Sequence, residues 1–198
     1  RRAAPTQAMV FNQNGLSLHD LESGEELMSH RHPTRYEVNA AQPLDLGDRV
    51  LVASGYGKGA ALLDLGGPRP KVIWESDGVA CQMDSLVCHG KHAYGIHGQT
   101  GANEARATLF CLEIDSGRKV WEERGFGVGT LVLVDGVLVV LGDRGELALV
   151  DASPNGYRER ARFQVLGGKN NWTPPTYANG RMHCRSSSGS WVCLMMGR

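Results

Sequence analysis

The sequence predicts an all-β fold, a β-propeller of four-stranded antiparallel blades, and three observations carry that prediction. Glycine is abundant, 26 of 198 residues, which sets turns at short intervals between brief apolar runs. Two residue markers recur with a period near 44 residues. No run of ten or more residues shows helical periodicity. Short strands joined by glycine turns at this period are the mark of a propeller blade.

The first marker is a glycine between two short strands. "DLGDRVLVAS" contains Gly47, "VCHGKHAYGI" Gly90, "LVDGVLVVLG" Gly136 and "YANGRMHCRS" Gly180, at intervals of 43, 46 and 44 residues. The second is an acid followed by a turn and a large apolar residue. "LHDLESGEELM" and "CLEIDSGRKVW" share it, "LLDLGGPRPKVIW" has it with a longer turn, and "LVDASPNGY" keeps the acid and a displaced glycine. The acids are Asp20, Asp64, Glu113 and Asp151.

In register with these markers, strands are expected at 81–88, 92–97, 107–114 and 118–123 in one unit and at 129–134, 137–141, 146–151 and 160–166 in the next. The whole chain, 1–198, reads as one propeller domain. Its blades fall at about 8–32 (partial, without an innermost strand), 36–75, 79–124, 125–167 and 171–196 (partial). Three full and two partial blades do not close a seven- or eight-bladed ring, so the chain is expected to be the C-terminal portion of a larger propeller, with a smaller closed ring as the alternative.

The repeated residue types have physical reasons. An acid and a serine can hold the turn between the third and fourth strands by bonding its backbone. A glycine such as Gly117 takes a positive φ there. Trp74 and Trp121 are broad enough to fill the wedge between neighbouring blades and are expected to dock blades rather than to catalyse; Met28 takes the same place in the first unit.

Charge excludes some partners. Lys plus Arg and Asp plus Glu number 21 each, so no basic excess points to nucleic acid or to an anionic membrane. No apolar run is long enough to span a bilayer, and "RRAAPTQAMVF" lacks the apolar core of a signal peptide. Of the five cysteines, none forms a CxxC pair of zinc-site spacing. Cys184 and Cys193 flank one expected hairpin, where they either face each other as a disulfide or, as the commoner case, serve as small buried apolar residues.

Ligand chemistry in a propeller gathers on the loops that enter the innermost strands. Here they read "RYEVNAAQ", "GVACQMDS", "RGFGVGT" and "KNNWTPP". Their candidate cofactor-binding residues are Glu37, Asn39, Gln82, Asp84, Arg124, Lys169, Asn171 and Trp172. Trp172 offers a stacking face, and Arg124 or Lys169 a cation for carboxylates. The plainer reading is that these groups finish turns and solvate a rim. "HRH" puts His30 and His32 on one side of a strand, but no third ligand has a recognisable spacing. "HRHP" is therefore expected to be an exposed link, with no metal site. "SGYGKGAALL" looks like a phosphate loop, but Lys58 is followed by Gly59 and a strand rather than by a helix, so a hairpin turn is expected. No nucleophile–base set is recognisable.

"CLEIDSGRKVW" resembles the pattern Ala-x-Asp-x-x-Thr-Gly-x-x-x-Trp of the pyrroloquinoline-quinone (PQQ) repeat family. It matches at Gly117 and Trp121, with Cys111, Glu113 and Ser116 as substitutions. "NWTPPTYANGRMHCRSSSGSWVCL" and "YEVNAAQPLDLGDRVLVASGYGKGAALLDL" are similar to PQQ-like propellers of planctomycete-type bacteria. A WD-repeat pattern fits less well, since no Gly-His and Trp-Asp pairs recur.

The resemblance implies a propeller located in the periplasm or secreted, working as a non-catalytic binding or scaffold module with a protein partner or small ligand on its face. The alternative it implies is part of a quinoprotein dehydrogenase using PQQ and calcium on alcohols or sugars. Catalytic members of the family hold calcium with a carboxylate and an amide, use an Asp as base and often carry a vicinal Cys pair. This chain has no Cys-Cys pair, and Glu37 and Asp84 are the acids not accounted for by turns.

Overall fold

The computed structural model describes residues 6–101 and 106–196. The loop expected between the second and third strands of the 79–124 repeat lies partly at 102–105, outside the described residues. The described chain is all-β, with three four-stranded and two three-stranded antiparallel sheets and no α-helix. It divides into two units, Arg1–Gln82 and Met83–Arg198.

The first unit holds two sheets. One is β1 (Gln7–Asn12), β2 (Gly15–Asp20) and β3 (Glu26–Arg31); the other is β4 (Leu44–Asp45), β5 (Arg49–Ser54), β6 (Gly59–Asp64) and β7 (Lys71–Ser76). Their shared core comprises Leu16 and Leu18 from the first sheet and Val50, Val52, Ala61 and Leu63 from the second, with Met28 packed against it. Met28 thus fills the docking place expected for it.

The second unit holds three sheets. The first is β8 (Val87–His89), β9 (His92–His97), β10 (Thr108–Glu113) and β11 (Lys119–Glu123). The second is β12 (Thr130–Val134), β13 (Val137–Leu141), β14 (Glu146–Asp151) and β15 (Glu159–Gln164). The last is β16 (Thr176–Ala178), β17 (Arg181–Arg185) and β18 (Trp191–Met195). The two-residue period of a strand explains the packing of the middle sheet. Leu138, Val140, Ala148 and Val150 face the core shared with the β8–β11 sheet. Val139, Leu141 and Leu147 face the core shared with Met182 and Cys184. Both faces are buried, so β13 is apolar along its whole length, whereas the outer strand β15 is exposed at every residue and carries the charges.

The repeat is also written in the backbone. Pairing with the fourth strand shifts register at Leu18/His19, Leu62/Leu63, Cys111/Leu112 and Leu149/Val150. Each shift lies just before the repeat acid, and each adds twist at the same place in its sheet. Directly opposite the bulge entry stand Met28, Trp74 and Trp121 in three of the four cases.

The acids stabilise the turns that follow. Asp20 Oδ1 accepts from the N–H groups of Ser23 and Glu22, at 2.8 and 3.0 Å, and from the Ser23 hydroxyl. The Ser23 backbone bond, first among these, holds Asp20 below the usual carboxylate range. Asp64 Oδ1 accepts from Gly66 N–H at 2.9 Å, and Glu113 Oε2 from the Ser116 hydroxyl at 2.6 Å. Asp151 instead takes the guanidinium groups of Arg158 and Arg160. Gly117 has φ +70° and closes its turn by donating to the Glu113 carbonyl. Gly117→Ala should therefore cost about 1 kcal/mol and Gly117→Asn less; urea unfolding of the two variants checks the order.

Two expectations are corrected. The strand expected at 81–88 is confined to Val87–His89. The preceding Val79–Gln82 is buried and lies outside β8, with only Cys81 making an isolated bridge. Cys193 is not a buried apolar residue: it is exposed, whereas Cys184 is buried, and both thiols are free, so the alternative disulfide does not form either. Cys184 stands opposite Val192 and Cys193 opposite His183. Since paired residues share a face and neighbours alternate, the two sulfurs project from opposite faces.

Candidate functional site

In the first unit, Glu37 is exposed at φ +58° in a turn that the Thr34 hydroxyl closes onto Val38. Asn39 behaves differently. Its Nδ2 donates to the carbonyls of Asn12 and His32, at 2.6 and 2.9 Å, and its Oδ1 accepts from the Ser54 hydroxyl. One amide thereby ties the edge of the β1–β3 sheet to the end of β5. Gln82 is buried and donates from Nε2 to the Tyr56 hydroxyl at 2.5 Å; Tyr36 meets the Tyr56 ring edge-on at 4.8 Å.

In the second unit, Asp84 occupies the corresponding place. It is 1% exposed. Its Oδ2 accepts from Ile96 N–H at 2.9 Å and its Oδ1 from Leu131 N–H at 3.0 Å. Ile96 belongs to β9, and Leu131 to β12, the inner edge of the next sheet. The carboxyl therefore joins two sheets through amides that the ladders leave unpaired. Burial pushes its pKa up to about 8, against the opposing pull of the Leu131, Ile96 and Ser85 amides.

Asn171 is fully buried and donates from Nδ2 to the carbonyls of Asp143 and Gly167, at 2.9 and 3.4 Å. In the β12–β15 repeat the equivalent place holds the buried apolar Val128. Asn39, Asp84 and Asn171 thus form a repeated set of clips.

The remaining candidates lie on the surface. Arg124 is exposed, on a loop whose Gly125 carbonyl accepts from Arg162 at 3.2 Å. Arg162 lies 4.3 Å over the Phe126 ring and pairs with Glu159 at 2.8 Å. This residue stands in a charged outer strand, and its role in holding that loop leaves no sequence signal, since one arginine among several there looks like any other. Lys169 is exposed, with its carbonyl accepting from Ser187, and Trp172 is half-buried.

Trp121 bridges neighbouring sheets: its Nε1–H donates to the Ser153 carbonyl at 2.8 Å, and its ring lies against Tyr94 and Tyr157. Trp74 is half-buried on β7, opposite Leu62.

A PQQ-bound calcium needs several oxygen ligands, and Asp84 and Asn39 have none to spare. Both Asp84 oxygens are taken up inside the core, and the Asn39 amide is spent on backbone and Ser54. "HRHP" is not an exposed link either: His32 is 1% exposed and sits 5.6 Å from the Phe11 ring.

No family model and no curated protein matches the chain. Solved structures do. The computationally designed Ika8 protein is similar at 13% identity and TM-score 0.72, over 98% of this chain and 57% of that one. BamB from Moraxella catarrhalis is similar at 18% identity and TM-score 0.70, over 97% and 56%. A functionally unknown protein from Desulfotomaculum acetoxidans DSM 771 is similar at 11% identity and TM-score 0.70, over 96% and 65%. The chain spans little more than half the length of the first two. No helix among the described residues is long and apolar enough to cross a membrane. The repeated sheets and the likeness to BamB give the fold as a β-propeller.

Proposed function

We propose that this chain is part of a PQQ-like β-propeller, and that the propeller is a non-catalytic scaffold outside the cytoplasm that binds a protein partner through its surface loops. The observation that carries this reading is the use made of the entry-loop polar groups. Asn39 and Asp84, two of the side chains best suited to grip a small polar cofactor, are committed to sheet-to-sheet hydrogen bonds, and Asn171 gives its Nδ2 to the Asp143 and Gly167 carbonyls. What the loops leave on the surface is a mixed set with Glu37, Arg124 and Lys169 exposed. A rigid scaffold carrying exposed charges suits recognition of another protein. The likeness to BamB extends only to fold. Location outside the cytoplasm rests on the family resemblance.

Titration of the intact protein with PQQ and calcium is expected to give no saturable binding and no dye-linked oxidation of alcohols or sugars. Saturable PQQ binding with turnover would replace this reading with the quinoprotein dehydrogenase. On the positive side, Arg124→Glu with Lys169→Glu should reduce co-purification of a protein partner while leaving the Tm unchanged.

A further inference from the structure

His30 is the penultimate residue of β3 and His32 follows the strand by one residue; with Met28 they share one side by the two-residue period. Met28 packs on the core between the two sheets of the first unit. Glu75, on β7, stands opposite Ala61 of that same core, so its side chain shares the Ala61 face. The three polar side chains meet at the end of this apolar interface. One donor atom from each of His30, His32 and Glu75 lies within 4.8 Å of the others.

The nitrogens are poised as donors to a cation. His32 Nε2 lies 3.3 Å from the Gly59 carbonyl, which can only accept, so the proton sits on Nε2 and the lone pair on Nδ1. That Nδ1 is buried with no hydrogen-bond partner. His30 Nε2 is also buried without a hydrogen bond, 3.9 Å from Glu75 Oε1. Buried polar atoms left this way call for an explanation, an ion among them. A metal-ligating histidine ordinarily gives its other N–H to a carbonyl, as His32 does. Burial lowers both imidazoles from the usual histidine range, His32 to about 4. Lys58, in the β5–β6 turn, adds a positive charge that opposes a cation, and Glu75 supplies the compensating negative one.

The backbone around the cluster is tightly fixed. A Cβ on Gly15 would lie 2.2 Å from the His30 carbonyl oxygen, and one on Gly59 would lie 2.1 Å from that of Ser76.

We propose that His30, His32 and Glu75 bind a divalent late first-row transition ion, with Zn²⁺ as the type case, and that the ion staples the β1–β3 sheet to the β4–β7 sheet. Two imidazoles and one carboxylate suit this class of ion, and three protein ligands leave a fourth position for water. Tetrahedral bonds near 2.1 Å place ligand atoms roughly 3.4 Å apart. The three donors therefore draw together on binding, and the half-exposed Glu75 side chain is free to supply most of the movement. The inference does not depend on the proposed function.

Titration calorimetry of the whole chain with Zn²⁺, with Co²⁺ absorption as a second readout, tests it. The expected result is one ion per chain with micromolar or tighter affinity, a tetrahedral Co²⁺ spectrum and no thiolate charge-transfer band, which separates the site from the five cysteines. Glu75→Gln and His30→Gln, at positions that are not deeply buried, should each weaken binding at least tenfold. Lys58→Met should tighten it several-fold by removing the opposing charge. Zn²⁺ should raise the Tm of the wild type but not of Glu75→Gln. No one-to-one binding, or binding unchanged in both Glu75→Gln and His30→Gln, would overturn the proposal.

Discussion

Asp84→Ala should destabilise the protein by about 3 kcal/mol or more. The substitution removes no large side chain. It strips two buried amides, Ile96 N–H and Leu131 N–H, of their acceptor. Each orphaned buried donor costs about 1–3 kcal/mol, and no neighbouring ladder can take them over, because β12 is the edge strand of its sheet. Asp84→Asn should cost less, about 1–2 kcal/mol, since its oxygen keeps one amide while its NH₂ faces the other.

The same carboxyl gives stability a pH dependence of unusual sign for an aspartate. Its folded pKa, about 8, lies above the ordinary value of 3.8. Between those values the folded state holds a proton that the unfolded state has released, so the unfolded state binds fewer protons and stability falls as pH rises. The contribution is complete below about pH 3.8 and lost as pH passes through about 8. Denaturant unfolding across this window should show the decline in the wild type and a flatter profile in Asp84→Asn. A wild-type profile as flat as that of the variant would show the carboxyl to be ionised throughout.

Trp121→Ala should lose about 3 kcal/mol. The indole fills the space between the β8–β11 and β12–β15 sheets against Tyr94 and Tyr157, and removing a large aromatic from such a place costs about 3–5 kcal/mol when burial is complete. Trp121 is partly exposed, which puts it at the low end. Trp121→Phe should lose about 1 kcal/mol with the hydrogen bond to the Ser153 carbonyl. Trp191, 63% exposed and stacked on His183, is the control: Trp191→Ala should cost no more than about 1 kcal/mol. Equal losses at the two tryptophans would refute a docking role for Trp121.

Most of the fold was legible in the sequence because turn chemistry is local. Asp20, Ser23 and Gly24 lie within one turn, as do Glu113, Ser116 and Gly117, and their bonds stay inside it. The four bulges were not legible, since a register shift changes no residue type and shows only in the backbone pairing. The entry loops were located correctly as positions, but their use was hidden. Asp84 bonds backbone amides 12 and 47 residues away, and backbone partners leave no sequence signature. Glu75 was missed for a related reason. "HRH" showed two ligands, and the third arrives from the next repeat through the packing of one sheet on another. The choice between a Cys184–Cys193 disulfide and two free thiols turns on a one-residue offset within the hairpin, below what turn signals resolve.

The central claim is that entry-loop polar groups hold the propeller's sheets together instead of gripping a ligand, and amide hydrogen exchange at Ile96 and Leu131 tests it most directly. In the wild type both amides should exchange as slowly as the core of β13, because each is buried and bonded to Asp84. In Asp84→Ala both should lose protection together, and by more than the loss of global stability accounts for. Fast exchange at these two amides in the wild type, or protection unchanged in Asp84→Ala, would contradict it.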